Sequence, residues 1–266
     1  LKMSLYSRLA ENLMYLSPSY YKQRFFKKLN NISLQNVLER GVEPELIWIR
    51  EFLPKDAVFF DVGANVGAYI YMLEGHLKPE NIYAFEPNPL LFKRLKRLFP
   101  KVNISSYALS NKNTKAQFKI PVIKGHSNAA RGTLQTELKE EGEEKTITRT
   151  VTVKRLDDWA EKNVIDRIDF IKIDVEGNET YTVAGMIDTI LRLKPVLMIE
   201  IEQRHHKRPI WDYIRYFERY GYNAHYLDRT SFELVPLTEN VCMQQSEYNE
   251  KDKQRYINNI IFLPKR

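Results

Sequence analysis

Four carboxylates close or interrupt short apolar runs in this chain: Asp61 in Ala57-Val58-Phe59-Phe60-Asp61-Val62, Glu86 after Asn81-Ile82-Tyr83-Ala84-Phe85, Asp174 after Asp169-Phe170-Ile171-Lys172-Ile173, and Glu200 in Met198-Ile199-Glu200-Ile201. Runs of that length and composition read as buried strands. In open α/β sheets, ligands bind beyond the carboxyl ends of the strands. Acids at such ends are candidates for gripping a ligand or moving a proton.

The first of these runs continues into Gly63-Ala64-Asn65-Val66-Gly67. Its glycines allow a sharp turn and a close approach of backbone to ligand. The helix that begins at Gly67 offers free N–H groups to the polar end of a cofactor. The dinucleotide fingerprint G-x-G-x-x-G places a glycine where this chain has Asn65. Asp61, two residues before the first glycine, would repel a pyrophosphate and would suit the ammonium of a bound amino acid. Glu86, 25 residues after Asp61, stands where nucleotide-binding folds hold an acid for the ribose hydroxyls. The set favours S-adenosylmethionine, a nucleoside with an aminocarboxylate and no phosphate. Charged strand ends without a ligand are the bland alternative, and the register of strand, loop, helix, strand and acid speaks against it.

Methyl transfer from a sulfonium is an in-line displacement. The protein must align the nucleophile and, for a hydroxyl, take its proton. Asp174 could contact the cofactor, the acceptor hydroxyl or a metal, or merely cap the next helix. Glu200 lies in an apolar run and needs a partner. His205 and His206 follow closely, and a histidine is the natural base near neutral pH; a solvated basic loop, Arg204 to Arg208, is their alternative. His126 is a third candidate base, while His76 and His225 read as structural. Asp174 and Glu200 could serve as oxygen ligands for magnesium. They lack a clear third ligand, so no metal site is expected.

The elements that must position these groups alternate. Strands are expected at 57–62, 81–86, 102–109, 169–174, 195–201, 223–227 and 259–263, with helices at 67–77, 89–99, 178–193 and 209–220 between them. A βαβαβ order of apolar strands predicts a parallel sheet covered on both faces. Gln117 to Ile120 and Thr146 to Val153 alternate like antiparallel strands, and the polar stretch Lys124 to Lys145 between them reads as a flap. Residues 1–50 read as a helical extension. Leu5, Leu9, Leu13 and Leu16 have helical spacing, Pro18 interrupts them, and a further helix starts near Pro44 and runs to Phe52. Residues 51–266 form the catalytic domain, with the flap at 112–155.

Composition narrows the function class. The 266 residues carry a formal charge of +7, which mildly favours an anionic partner. Cys242 is the one cysteine, so neither an internal disulfide nor a cysteine-based zinc site is available, and a reducing, cytoplasmic setting is expected. No secretory leader or membrane-length apolar run is seen.

The runs DVGANVG (61–67), YAFEPNP (83–89), ALS (108–110), VKRLDDW (153–159) and FIKIDVEGNE (170–179) resemble the FkbM-type methyltransferases over about residues 45–263. The resemblance implies a class I, Rossmann-like α/β fold. Its seven-stranded, mostly parallel sheet has an antiparallel last strand and helices on both faces. It also implies O-methylation of hydroxyls on sugars, glycolipids or natural products. Carried over, Asp61, Gly63, Asn65 and Gly67 would surround the methionine part, Glu86 the ribose with Asn88 nearby, Tyr107 and Ala108 the adenine, and Asp174 the sulfonium and acceptor. Regions 1–44 and 112–150 fall outside its motifs, so the acceptor stays open between a small molecule and a glycan.

Two rival readings stand beside this one. An RNA methyltransferase is favoured by the charge, but Asp-Val-Glu-Gly replaces the Asn-Pro-Pro-Tyr-like turn expected after the fourth strand, and no nucleic acid is expected as partner. A non-catalytic cofactor-binding module is the other, against which the retained acids argue. The basic aromatic segment Tyr20 to Lys28 is either a cap packed on the domain or a peripheral contact with the inner face of a membrane.

Overall fold

The computed structural model describes residues 14–245, 248, 252 and 255–265. Part of the first expected helix, Leu5, Leu9 and Leu13, lies outside them. Helix α1 (Pro18–Phe25) starts at the proline that ends the preceding stretch, since proline lacks an N–H and fits a helix's first turn. Helix α2 (Glu45–Phe52) follows Pro44 as expected.

The large sheet begins with β1 (Phe59–Val62), β2 (Ile82–Phe85) and β3 (Asn103–Ser105), crossed by α3 (Ala68–Leu73) and α4 (Pro89–Leu98). It resumes with β8 (Phe170–Ile173), β9 (Val196–Glu200), β10 (Tyr222–Leu227), β11 (Leu234–Pro236) and β12 (Asn259–Pro264). The order is β11-β10-β12-β9-β8-β1-β2-β3. Strands β3, β2, β1, β8 and β9 are parallel neighbours, and β12 runs antiparallel to both β9 and β10. This is the class I arrangement, with the short edge strand β11 added to the seven strands expected. Helices α5 (Leu156–Lys162), α6 (Glu179–Ala184), α7 (Ile187–Leu193), α8 (Ile210–Glu218) and α9 (Glu239–Gln245) complete the layers.

Alternate residues of each strand feed opposite cores. Phe59, Phe170, Met198 and Ile261 pack with α1 to α4, whereas Phe60, Ile171, Ile199 and Ile260 pack with α5 to α8. Phe26 stacks on Tyr71 at 4.5 Å, and Lys22 pairs with Glu74 at 2.6 Å, so much of the 20–28 segment lies on its own domain. Tyr20 and Phe25 stay exposed. No helix among the described residues is long and apolar enough to cross a membrane.

Two expected elements divide. The 102–109 run breaks after Ser105, and β4 (Tyr107–Leu109) joins a second sheet, β4-β7-β5-β6, with β5 (Thr114–Ile123), β6 (His126–Ser127) and β7 (Glu143–Lys154). The 178–193 helix breaks at Gly185, where a Cβ would lie 2.0 Å from the Ser110 carbonyl oxygen. Asp157 spans that break, accepting the Thr189 N–H and hydroxyl at 2.8 Å. Trp159 sits edge-on to Phe85 at 5.0 Å. The ALS and VKRLDDW runs are therefore largely packing motifs.

Candidate active site

The strand order reverses between β1 and β8, and the crevice beyond their carboxyl ends is the expected ligand position in such a sheet. The glycine loop turns there. Gly63 has φ +82°, and a Cβ on it would lie 1.8 Å from the Asp174 carbonyl oxygen. Glycine is required by both conformation and space. Asn65 also adopts a left-handed φ of +49°, and its side-chain oxygen is buried with no hydrogen-bond partner.

A narrow cleft with about 510 Å³ of empty space opens beside this loop. Gly63, Asn65, Glu86, Ala108 and Asp174 line it, with Phe85, Pro87 and Leu109. The second sheet and its loop form the roof through Phe118, Ala129, Ala130, Gly132 and Leu134. Gln135 latches the roof by donating to the Asn178 side-chain Oδ1 at 2.9 Å, and the Asn178 amide nitrogen in turn donates to the Leu109 backbone carbonyl at 3.2 Å. Glu86 is buried and accepts the Asn65 N–H at 2.7 Å and the Asn88 N–H at 2.8 Å. Burial pushes its carboxyl up to about 8, against the pull of these two N–H groups. The carboxylates Glu86, Asp174 and Glu176 line the cleft, and no lysine or arginine does.

Lys172 ties the carboxyl ends of β1 and β8 together. It lies directly beside Asp61 in the parallel register. Its ammonium is 3.0 Å from Asp174 Oδ2, 3.4 Å from the Gly63 carbonyl, 3.7 Å from Asp61 Oδ1 and 5.1 Å from the Tyr69 ring centre. Burial disfavours its charge, yet Asp174 and Asp61 hold its pKa above the ordinary lysine range. Asp61 is raised to about 6 by burial, with Lys172 opposing. Asp174 is lowered: Lys172 and a hydrogen bond with Glu200 outweigh its desolvation.

Past Asp174 the cleft meets a second, wider pocket of about 1170 Å³; Asn65, Ala130, Asp174 and Glu176 line both. Its walls add Glu43, Glu200, Glu202 and Arg229. Burial and the neighbouring Asp174 raise the Glu200 carboxyl well above the usual range. Asn258 donates to Glu200 and Tyr256 to Glu202. Glu176 is pushed up to about 9 by burial and by Asp174.

The expected residues thus separate. Gly63, Asn65, Glu86, Ala108 and Asp174 meet at the cleft, and Glu200 stands behind Asp174. Asp61 stands behind the cleft lining, 3.7 Å from Lys172, and both of its buried carboxylate oxygens lack a hydrogen-bond partner. Gly67 faces the packing side, where a Cβ would meet Leu95 at 2.6 Å and Phe99 at 2.9 Å. Asn88 caps α4 by accepting the Leu90 N–H at 3.1 Å. Tyr107 packs into the core instead. His205 faces Glu140 and Glu176 from an outer cavity. His126 is exposed on the β5–β6 hairpin. Lys172 is the chief functional residue the sequence reading passed over. Its signal was a lysine inside Phe170-Ile171-Lys172-Ile173, since a charge in a buried parallel strand requires a partner.

The chain is 28% identical over 165 residues to the hexuronic acid methyltransferase AglP of Haloferax volcanii, covering 60% of this chain and 62% of that protein. It is 26% identical over 183 residues to the AMB antimetabolite synthetase AmbE of Pseudomonas aeruginosa, covering 57% of this chain and 9% of that one. The match thus spans less than two thirds of either relative. Among solved structures, the methyltransferase FkbM from Methylobacillus flagellatus KT aligns with a TM-score of 0.48 at 14% identity, covering 78% of this chain and 44% of that chain. The model of the methyltransferase FkbM domain matches residues 61–224, from the last turn of β1 into β10. That span holds the glycine loop, Glu86, the roof and the Lys172–Asp174 pair, and by it the chain belongs to the FkbM methyltransferase family.

Proposed function

We propose that the protein transfers the methyl group of S-adenosylmethionine to a hydroxyl of a sugar or similarly hydroxylated acceptor. The observation that carries this reading is the lining of the two joined cavities. The inner cleft has hydrogen-bonding carboxyl groups, a glycine turn and, among the described residues, no lysine or arginine on its lining, which suits a phosphate-free nucleoside cofactor and disfavours a dinucleotide. Glu86 is placed for the ribose hydroxyls, Ala108 and Leu109 for the apolar faces of the base, and Asn65 for the amino-acid end. The sulfonium methyl would lie near Asp174, where the cavities join.

The acceptor enters the wider pocket. Its oxygen attacks the methyl carbon, the carbon–sulfur bond breaks toward sulfur, and the hydroxyl proton passes to the Asp174–Glu200 carboxyl pair. Two adjacent, half-buried carboxyls resist simultaneous ionisation and hold a proton between them. The acids of this pocket also accept hydrogen bonds from a polyhydroxylated acceptor. The hexuronic acid named for the Haloferax relative supports a sugar as acceptor class.

Labelled S-adenosylmethionine, incubated with uronic acids and glycan extracts, tests the reading. Expected is alkali-stable transfer to a hydroxyl, with Asp174→Asn still saturable by cofactor while losing at least a hundredfold in turnover, the order typical of one proton-transfer group. Unchanged turnover in that variant, or transfer to RNA alone, would overturn it.

A further inference from the structure

We infer that Glu140, Glu176 and His205 form a divalent-metal site that fastens the roof loop to the ends of β8 and β9. The three residues come from separate elements: Glu140 from the loop before β7, Glu176 from the turn after β8, and His205 from the turn after β9. Their donor atoms all lie within 4.8 Å of one another. His205 Nε2 is 3.5 Å from Glu140 Oε1 and 3.5 Å from Glu176 Oε2. Ligand atoms around a tetrahedral ion with bonds of about 2.0–2.1 Å stand roughly 3.3–3.4 Å apart, so the donors are near the required spacing.

The histidine supplies the independent observation. Its side chain is 6% exposed, yet Nε2 has no hydrogen-bond partner and points between the two carboxylates. A buried polar atom without a partner is costly unless something binds it. On its other side, Nδ1 lies 3.9 Å from Glu202 Oε2, near a carboxylate but beyond hydrogen-bond reach.

The arginines nearby leave one oxygen of Glu140 to the ion. Arg131 and Arg204 bind Glu140 through Oε2 at 2.6 and 2.7 Å, leaving Oε1 turned to His205, and Arg204 also donates to Glu176 Oε2 at 3.3 Å, a bond the ion would share or replace. The mixed imidazole and carboxylate set suits zinc or manganese better than calcium. An outer cavity lined by Glu140 and His205 gives access from solvent. Glu176 also lines the inner cleft, so the ion would hold the roof down over it.

The test is calorimetric titration of the chelator-treated, full-length protein with zinc chloride and, separately, manganese chloride. Expected is one saturable site for at least one of the two metals. His205→Ala and Glu140→Gln should each weaken it at least tenfold. Bound metal should slow hydrogen exchange across residues 124–142 in the parent and not in His205→Ala. Absence of saturable binding by either metal, or variants that bind like the parent, would overturn the inference. X-ray absorption of the loaded parent is independent of any folding defect in the variants. One imidazole with oxygen neighbours supports the site; a sulfur neighbour or an all-oxygen aquo shell refutes it. None of these readouts depends on methyl transfer, so their failure leaves the proposed reaction standing, and the reverse holds too.

Discussion

Glu86 turns the cleft into a proton-linked binding site, and the linkage has a definite sign. Burial raises its carboxyl to about 8 although the Asn88 and Asn65 N–H groups favour the charged form. At pH 7 a group with that pKa is about 0.9 protonated, from the ordinary titration relation. Ribose hydroxyls donate hydrogen bonds, which favour the carboxylate over the acid. Cofactor binding should therefore expel the proton. Calorimetric titration of S-adenosylmethionine at pH 7, in buffers of differing ionisation enthalpy, should report release of about 0.9 proton per cofactor. Affinity should rise roughly tenfold per pH unit toward pH 8 and then level off, because above that pH the free protein is already ionised. Glu86→Gln should abolish the proton release, flatten the profile and weaken binding by about 1.5–3 kcal/mol, the worth of hydrogen bonds to a charged group. An apparent enthalpy independent of buffer, or an affinity that falls as pH rises toward 8, would refute the assignment of Glu86 to the ribose.

Two further substitutions probe the frame around the cleft. Gly63→Ala forces a side chain into left-handed backbone, at about 1–2 kcal/mol. It also sets a Cβ against the Asp174 carbonyl, and the Asp174 N–H is anchored to the Val62 carbonyl at 3.0 Å. Cofactor affinity and melting temperature should both fall, and parental values for both would show that the turn is not constrained as described. Lys172→Met leaves Asp61 and Asp174 without their shared cation. Breaking a buried pair costs about 3–5 kcal/mol, a large share of the ~5–15 kcal/mol that stabilises a typical domain. Urea unfolding should show that loss, with part of it recovered on adding Asp61→Asn; a Lys172→Met midpoint equal to the parent's would refute the pairing.

The local signals in the chain were strong where one segment supplies the whole reason. Gly63 and Asn65, the acid at the end of β2, and Pro44 ahead of α2 sit where spacing and residue type put them. Continuous apolar runs along β1, β8, β9 and β12 marked the large sheet, because strands covered on both faces are apolar throughout. Such runs do not say what covers a face. The β3–β4 break and the halt at Gly185 arise from contacts with the second sheet and with Ser110, far along the chain. Asp61 reads as a ligand-facing acid until the register of β1 with β8 places Lys172 beside it. His205 reads as a base until the roof loop brings Glu140 to its Nε2.

Glu45 and Arg229, 184 residues apart, form a buried ion pair at 2.7 Å that no local pattern announces. Residue types and short spacings determined the strands, the glycine turn and the nucleoside character of the cleft, because each depends on the backbone within a few residues. The tertiary structure alone decided which carboxylates are neutralised, which face a ligand and what roofs the cleft, because those depend on charges and side chains brought together across the sheet.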